Sequence, residues 1–121
     1  MILTGVDIIE VKRIKKVIQS NKKFLEKVFT PVEVEYCLSR KNKWQHFAVR
    51  FAAKEAVLKA LGSARKNTGF SDIEILNRKN SGEPVVNIAK NGINKKFSFF
   101  ISLSHSQTKA VAFSVITRIA R

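Results

Sequence analysis

The chain has 121 residues, of which 45% are hydrophobic. It can bury one core but is too short to form two domains comfortably, so we predict a single domain over residues 1–121. No apolar stretch approaches the roughly 20 residues that cross a bilayer, and the first residues lack the charged and then apolar pattern of a signal peptide. These two observations predict a cytoplasmic protein that does not associate with membranes. Lysine and arginine number 23 against 9 aspartates and glutamates, and the net charge of +14 predicts an anionic partner, whether nucleic acid, acidic protein or phosphate-rich cofactor.

The first predicted elements are a strand and a basic helix. Residues 2–9 are almost continuously apolar and β-branched, which predicts a strand that is covered on both faces. Over residues 11–18 apolar side chains recur at helical spacing, and lysines and arginines fill the positions between them. This pattern predicts a basic amphipathic helix directly after the strand.

Two further helices are predicted before the middle of the chain. Thr30 and Glu33 form the pattern of a capping box, which begins a short helix ending near Arg40. Residues 44–61 contain neither proline nor glycine and are rich in alanine and leucine, which predicts a third, longer helix that ends at Gly62. The first half therefore holds one strand and three helices.

The second half of the chain changes to strand-like patterns. Turn-forming residues fill positions 80–84, and β-branched or aromatic residues fill the segments on either side. The predicted strands cover residues 70–76, 85–88, 97–103 and 110–116. An N-terminal strand and three helices followed by an antiparallel sheet predict an α+β fold.

Two carboxylates lie where the pattern predicts burial. The third helix is apolar almost all round, yet Glu55 and Lys59 lie on one face of it beside small alanines. An exposed pair at this spacing contributes about 0.3–0.5 kcal/mol, whereas a buried pair is seldom a net stabiliser, so a structural and a functional interpretation carry equal weight. Asp7 lies inside the first strand and either caps the first helix, serves as a ligand, or does both. Two carboxylates from separate elements are what Mg²⁺ usually receives from a protein.

The remaining candidates for chemistry are isolated residues. His105 follows a predicted strand between Ser104 and Ser106, a place that fits contacts with a phosphate or a base as well as a structural role. His46 has only a structural interpretation. Cys37 lies in an apolar run and is interpreted as a buried structural thiol. The sequence contains no Gly-rich phosphate loop and no clustered histidine and cysteine pattern.

Three segments together resemble the holo-acyl-carrier-protein synthases, the small bacterial type of the 4′-phosphopantetheinyl transferase family. They are GVDIIE at residues 5–10, RFAAKEAVLKALG at residues 50–62 and SLSH at residues 102–105, and the Gly82-Glu83-Pro84 turn also matches. The resemblance covers nearly the whole chain. It implies the transferase fold and transfer of the 4′-phosphopantetheine group of coenzyme A to a serine of apo-acyl carrier protein, which gives holo-acyl carrier protein and adenosine 3′,5′-bisphosphate for fatty acid biosynthesis.

The resemblance also implies roles for individual residues. Asp7 and Glu55 would hold Mg²⁺ against the diphosphate of coenzyme A, and Lys59 would lie beside the same phosphates, so these three residues form the catalytic set. The group that removes the proton of the attacking serine stays open among a metal-bound water, Glu55 and a third carboxylate.

Binding roles are implied for two other groups of residues. The nucleotide end of coenzyme A would be received by Arg50, Gly82, Pro84 and His105. The acidic acyl carrier protein would dock on the basic first helix through Arg13 and Lys16. The resemblance further implies a homotrimer with its sites between neighbouring subunits.

Two rival interpretations remain at this stage. A small basic nucleic-acid-binding protein fits the charge, but most of the 9 phenylalanines fall in apolar runs rather than among lysines and arginines on a stacking surface. A catalytically silent relative that serves as an oligomeric scaffold would not require acids at both Asp7 and Glu55. One assay separates the three hypotheses, since only an enzyme adds mass to apo-acyl carrier protein.

Overall fold

The computed structural model describes residues 1–120 and confirms the α+β class. The strands are β1 (Ile2–Glu10), β2 (Glu74–Asn77), β3 (Pro84–Asn87), β4 (Phe97–His105) and β5 (Lys109–Arg118). The helices are α1 (Val11–Ser20), α2 (Lys22–Val28), α3 (Pro31–Leu38), α4 (Lys43–Leu61) and the single turn α5 (Ile93–Lys96). No helix within residues 1–120 combines the length and the apolar character needed to cross a membrane.

The strands form two separate antiparallel sheets. The larger has the order β1-β5-β4, so the last strand of the chain lies in the middle, and the smaller is the β2–β3 hairpin alone. The long helix α4 packs across β1 and β5, and its buried alanines and leucines form the centre of the main core. A second core of apolar side chains lies under α1, α2 and α3.

The contact between α4 and β1 is unusually close, and Gly5 makes it possible. A Cβ atom at Gly5 would lie 2.9 Å from the backbone nitrogen of Ala60 and would overlap the carbonyl oxygen of Ala56. Glycine is therefore required here by close approach of two backbones rather than by its dihedral angles. This contact sets the position of α4 on the sheet.

Several predicted elements agree with the structure. Thr30 and Glu33 form the predicted capping box at the start of α3, and α4 matches the third predicted helix to within one residue. Cys37 is fully buried, as predicted, and burial raises the pKa of its thiol to about 11.

Four details of the sequence prediction are wrong. The helix α2 was not predicted, so four helices precede the hairpin instead of three. The predicted strand at residues 70–76 opens with a 3-10 turn, Phe70–Asp72, before β2 begins. The strand β1 is not covered on both faces in the single chain, because its side chains alternate between the core and solvent. Asp7 does not cap α1, since Glu10 occupies the capping position and makes no side-chain cap bond.

Candidate active site

Asp7 and Glu55, distant in the sequence, line one cleft of about 340 Å³. We call it the carboxylate cleft; Arg13 of α1 and the rings of Phe24 and Phe51 also line it. Asp7 reaches it from the core-facing side of β1, and Glu55 reaches it from α4, which Gly5 allows to lie against the strand. The close helix–strand contact therefore brings the two acids to one cleft.

Lys59 pairs with Asp7 rather than with Glu55. Its Nζ lies 3.0 Å from Oδ1 of Asp7 and 3.1 Å from the carbonyl oxygen of Val6. The interpretation of Glu55 and Lys59 as an ordinary pair along the helix is therefore wrong. Among residues 1–120, Glu55 makes no ion pair and no side-chain hydrogen bond, so its carboxylate is available to a ligand.

The donor set of the carboxylate cleft fits one kind of metal ion. Residues 1–120 contain no cluster of three or more histidine, cysteine or acidic side chains, so no site there could enclose a metal by itself. Asp7 and Glu55 offer two carboxylates, which is the share that Mg²⁺ takes from a protein when waters and substrate phosphates supply the rest. These two residues are the ones that could hold such an ion.

The four residues predicted to bind the nucleotide lie together in a second cleft. It has a volume of about 320 Å³ and lies between α3, α4, the end of β4 and the turn of the hairpin. We call it the hairpin cleft. Its lining includes Tyr36, His46, Arg50, Asn77, Gly82, Pro84 and His105.

Arg50 places a buried positive charge in the wall of the hairpin cleft. The residue is 3% exposed, and its guanidinium donates a hydrogen bond to Oδ1 of Asn77 and lies 4.3 Å from the centre of the Tyr36 ring. Within residues 1–120 it has no carboxylate partner, and its Nε has no hydrogen-bond acceptor. A buried cation without a counter-charge favours an anionic ligand.

Two histidine rings also line the hairpin cleft. Nδ1 of His105 lies 2.7 Å from Oε1 of Gln45, so the proton of a neutral ring belongs on Nδ1 and leaves Nε2 as an acceptor. The ring of His46 lies 5.4 Å away, centre to centre. Burial, together with the charges of Arg50, His105 and Arg40, lowers the pKa of His46 to about 4, so His46 is neutral at pH values where enzymes usually work.

Three residues of the hairpin cleft were not identified from the sequence. His46 was given only a structural role, yet it lies one helical turn before Arg50, and this spacing could have placed it beside the predicted nucleotide residues. Tyr36 and Asn77 carry no comparable signal, because each reaches the cleft through contacts with Arg50 that form only in the folded chain.

The basic helix α1 borders the carboxylate cleft. Arg13 lines the cleft directly, and Lys16 follows it by three residues on the same side of the helix. Lys12 and Lys15 are also exposed and face the neighbouring surface. Arg13 therefore lies beside the two acids, and Lys16 lies about one helical turn further along α1.

A family model described as the 4′-phosphopantetheinyl transferase superfamily matches residues 4–115. The chain belongs to this superfamily. Among the similar proteins, a holo-[acyl-carrier-protein] synthase of Clostridium botulinum (strain Eklund 17B / Type B) is 45% identical and covers 93% of this chain and 94% of its own. The protein of the same name from Ruminiclostridium cellulolyticum is 50% identical over 95% of this chain and 91% of its own. These matches confirm the resemblance to the holo-acyl-carrier-protein synthases.

Solved structures of superfamily members share the fold. A holo-(acyl-carrier-protein) synthase of Bacillus anthracis in complex with CoA (3′,5′-ADP) superposes with a TM-score of 0.80 at 32% identity, over 98% of this chain and 96% of its own. The Helicobacter pylori enzyme in complex with coenzyme A gives a TM-score of 0.81 at 33% identity, over 95% and 100%. The predicted fold class is confirmed, and nothing in these comparisons supports the nucleic-acid-binding alternative.

Proposed function

We propose that this chain is a magnesium-dependent holo-acyl-carrier-protein synthase whose site is built from the carboxylate cleft and the hairpin cleft. It transfers the 4′-phosphopantetheine group of coenzyme A to a serine of apo-acyl carrier protein and releases adenosine 3′,5′-bisphosphate. The observation that carries the proposal is the meeting of Asp7 and Glu55 in one cleft beside Lys59, in a member of this superfamily. The reaction would take place in the cytoplasm and supply fatty acid biosynthesis, as the resemblance implies.

Asp7 and Glu55 would hold Mg²⁺ in the carboxylate cleft. The ion, when bound, neutralises charge on the diphosphate and on the oxygen that leaves the attacked phosphorus. Lys59 orients the carboxylate of Asp7 through their ion pair, and half of its own side chain stays exposed, so its ammonium group can also contact a phosphate. Arg13 adds a further positive charge to the same cleft.

The hairpin cleft would receive the nucleotide end of coenzyme A. Arg50 supplies a buried positive charge for a phosphate, and His105 presents Nε2 because Gln45 occupies its Nδ1. Gly82 and Pro84 of the hairpin line the same cleft. The superposed structures are complexes with CoA (3′,5′-ADP) and with coenzyme A, which supports coenzyme A as the ligand of this chain.

Arg13 and Lys16 would guide the carrier protein to the carboxylate cleft. Both side chains are exposed on α1, and a net charge of +14 favours fast association with an acidic partner. Because α1 borders the cleft, a carrier docked there would place its serine near Asp7 and Glu55. The attacking hydroxyl belongs to the carrier protein, and this chain supplies the residues that surround the phosphates.

Two features support a trimer in which neighbouring subunits complete each site. Arg50 and Glu55 lie five residues apart on α4, so their side chains leave the helix about 140° apart and the two clefts open on different sides. One molecule of coenzyme A would then be bound by the hairpin cleft of one subunit and the carboxylate cleft of the next. The outer face of the larger sheet is apolar and exposed, with Ile2, Val6 and Ile8 of β1 beside Phe113 of β5 and Phe100 of β4.

The deciding experiment measures the mass of the carrier. Apo-acyl carrier protein is incubated with this protein, coenzyme A and Mg²⁺, and the carrier should gain the mass of one phosphopantetheine group. Removal of Mg²⁺ with a chelator should stop the gain, and Mg²⁺ added in excess should restore it. An unchanged carrier mass at every Mg²⁺ concentration, with retention of RNA on a filter at the same protein concentration, would instead establish the nucleic-acid-binding alternative.

A further inference from the structure

The β2–β3 hairpin forms one wall of the hairpin cleft, yet within residues 1–120 no strand pairing connects it to the larger sheet. Over the same residues its two strands pair only with each other. Asn77 at the end of β2 meets Arg50, and the turn that follows brings Gly82 and Pro84 into the lining. A two-stranded hairpin is at best marginally stable alone, so other contacts must fix its position.

Glu33 of α3 is one of these contacts. The residue is 1% exposed, and its Oε2 accepts a hydrogen bond of 2.8 Å from the backbone nitrogen of Ile75 in β2. Its Oε1 accepts from the backbone nitrogen of Thr30, at 2.9 Å, and from Nζ of Lys54, at 2.6 Å. One carboxylate thus joins the start of α3, the helix α4 and the first strand of the hairpin.

Lys54 of α4 completes the network. The residue is fully buried, and its Nζ donates to the carbonyl oxygens of Val28, at 2.6 Å, and Phe70, at 3.1 Å, in addition to Glu33. All three of its donors are therefore used. A second link runs beside it, because Oγ1 of Thr30 donates to Oε2 of Glu74, at 2.8 Å, one residue before Ile75.

The network leads directly to the wall of the cleft. Ile75 and Asn77 are two residues apart on one strand, so they point to the same face of the hairpin. Anchoring Ile75 to Glu33 therefore fixes Asn77 where it accepts from Arg50 and donates to the carbonyl oxygen of Gly82, at 2.9 Å. A buried ion pair seldom stabilises a fold more than apolar residues of the same size would. The pair of Glu33 and Lys54 has a different use here, because it holds a separate hairpin in one position.

We propose that Glu33 and Lys54 are positioning residues that hold the β2–β3 hairpin against α4 and so shape the hairpin cleft for its ligand. Neither residue lines the cleft. The proposal rests on the assignment of the nucleotide end of coenzyme A to this cleft. On this proposal the network of Glu33 and Lys54 affects the binding of coenzyme A and not the chemical step. Displacement of the hairpin changes the hairpin cleft and leaves the carboxylate cleft intact.

The test compares Glu33→Gln with Glu10→Gln. Glu10 carries an exposed carboxylate 3.5 Å from Lys109, so its change is a matched loss of one charge outside the network. In Glu33→Gln, hydrogen exchange at the amide of Ile75 should become about tenfold faster without substrates. The KM for coenzyme A should rise about tenfold while the KM for carrier protein stays unchanged, and Glu10→Gln should match the unmodified protein in all three measurements.

A double variant keeps the test decisive if the single variant unfolds. Glu33→Gln combined with Lys54→Met removes both buried charges, and circular dichroism checks that the chain is folded. Faster exchange at Ile75 and a raised KM for coenzyme A in the folded double variant support the proposal. Unchanged exchange at Ile75, or a KM for coenzyme A equal to that of the unmodified protein, overturns it.

His105→Ala distinguishes failure of the inference from failure of the proposed function. A raised KM for coenzyme A in His105→Ala, with no rise in the Glu33 variants, leaves the nucleotide in the hairpin cleft and removes the positioning role. No rise in either set removes the nucleotide from this cleft, and the inference fails together with that assignment.

Discussion

The two clefts are built by different physical means. The carboxylate cleft depends on an apolar contact, in which Gly5 lets the backbone of α4 approach β1 and so brings Asp7 and Glu55 together. The hairpin cleft depends on buried polar contacts, in which Glu33, Lys54 and Arg50 join α3 and α4 to a hairpin. Apolar packing fixes the residues proposed for chemistry, while a directional network fixes those proposed for binding.

The largest expected effect is a loss of turnover with little change in the binding of coenzyme A. Glu55→Gln should lower kcat roughly 10²–10³-fold, because the cleft loses one of its two charged metal ligands. The KM for coenzyme A should change little, since the hairpin cleft is untouched. Steady-state kinetics at several Mg²⁺ concentrations measures both, and Glu26→Gln on the exposed side of α2 is the matched control. Full activity in Glu55→Gln would remove this residue from the metal site.

The apolar contact can be broken directly at Gly5. Gly5→Ala should lower the free energy of unfolding by about 3 kcal/mol or more, because the new methyl group would overlap the backbone of Ala56. Gly69→Ala is the control, since a Cβ there meets nothing closer than 3.7 Å and the backbone is extended. Its free energy of unfolding should change by less than about 0.5 kcal/mol in urea titrations. Equal stability of the two variants would contradict the close approach of α4 and β1.

A smaller effect is expected at the rim of the carboxylate cleft. Reversal of Arg13 and Lys16 to glutamate should raise the KM for acyl carrier protein roughly tenfold at low salt, and added salt should reduce the difference. Reversal of Lys22 and Lys23 on α2 makes the same change in net charge and should have little effect. If both double variants behave alike, steering depends on total charge and not on this face of α1.

The smallest effect concerns His46 in the hairpin cleft. The pKa of its ring is lowered from 6.5 to about 4, chiefly by burial, so between these values the unfolded chain binds a proton that the folded chain does not. Stability from this residue is therefore complete above pH 6.5 and is lost as the pH falls toward 4. His46→Gln should show a smaller loss of unfolding free energy than the unmodified protein between about pH 7 and pH 5 in urea titrations. Identical losses would show that the ring titrates normally.

Sequence patterns predicted the helices whose formation depends on local interactions. The capping box of Thr30 and Glu33 and the run of helix-forming residues in α4 are complete within a few turns, and both were found. The helix α2 has seven residues and only Asn21 as a cap, so its position depends on burying Phe24 and Val28 against other elements. Sequence patterns do not contain that tertiary contribution.

The candidate site shows the same division. Acids among apolar neighbours indicated Asp7 and Glu55, but the pairing of Lys59 with Asp7 joins residues 52 positions apart and could not be read from helical spacing. The bond between Arg50 and Asn77 likewise depends on where the hairpin lies. Glu33 was recognised only as a helix cap, because its second oxygen finds Ile75 across 42 residues of chain.

The burial of Cys37 has a practical consequence for labelling and for oxidative damage. With a pKa of about 11, only about one thiol in ten thousand is ionised at neutral pH, and the thiolate is the form that alkylating agents and peroxide attack. The chain contains no other cysteine. Thiol reagents should therefore leave the native protein unmodified, and a cysteine introduced on its surface would be the single attachment point for a fluorophore or spin label.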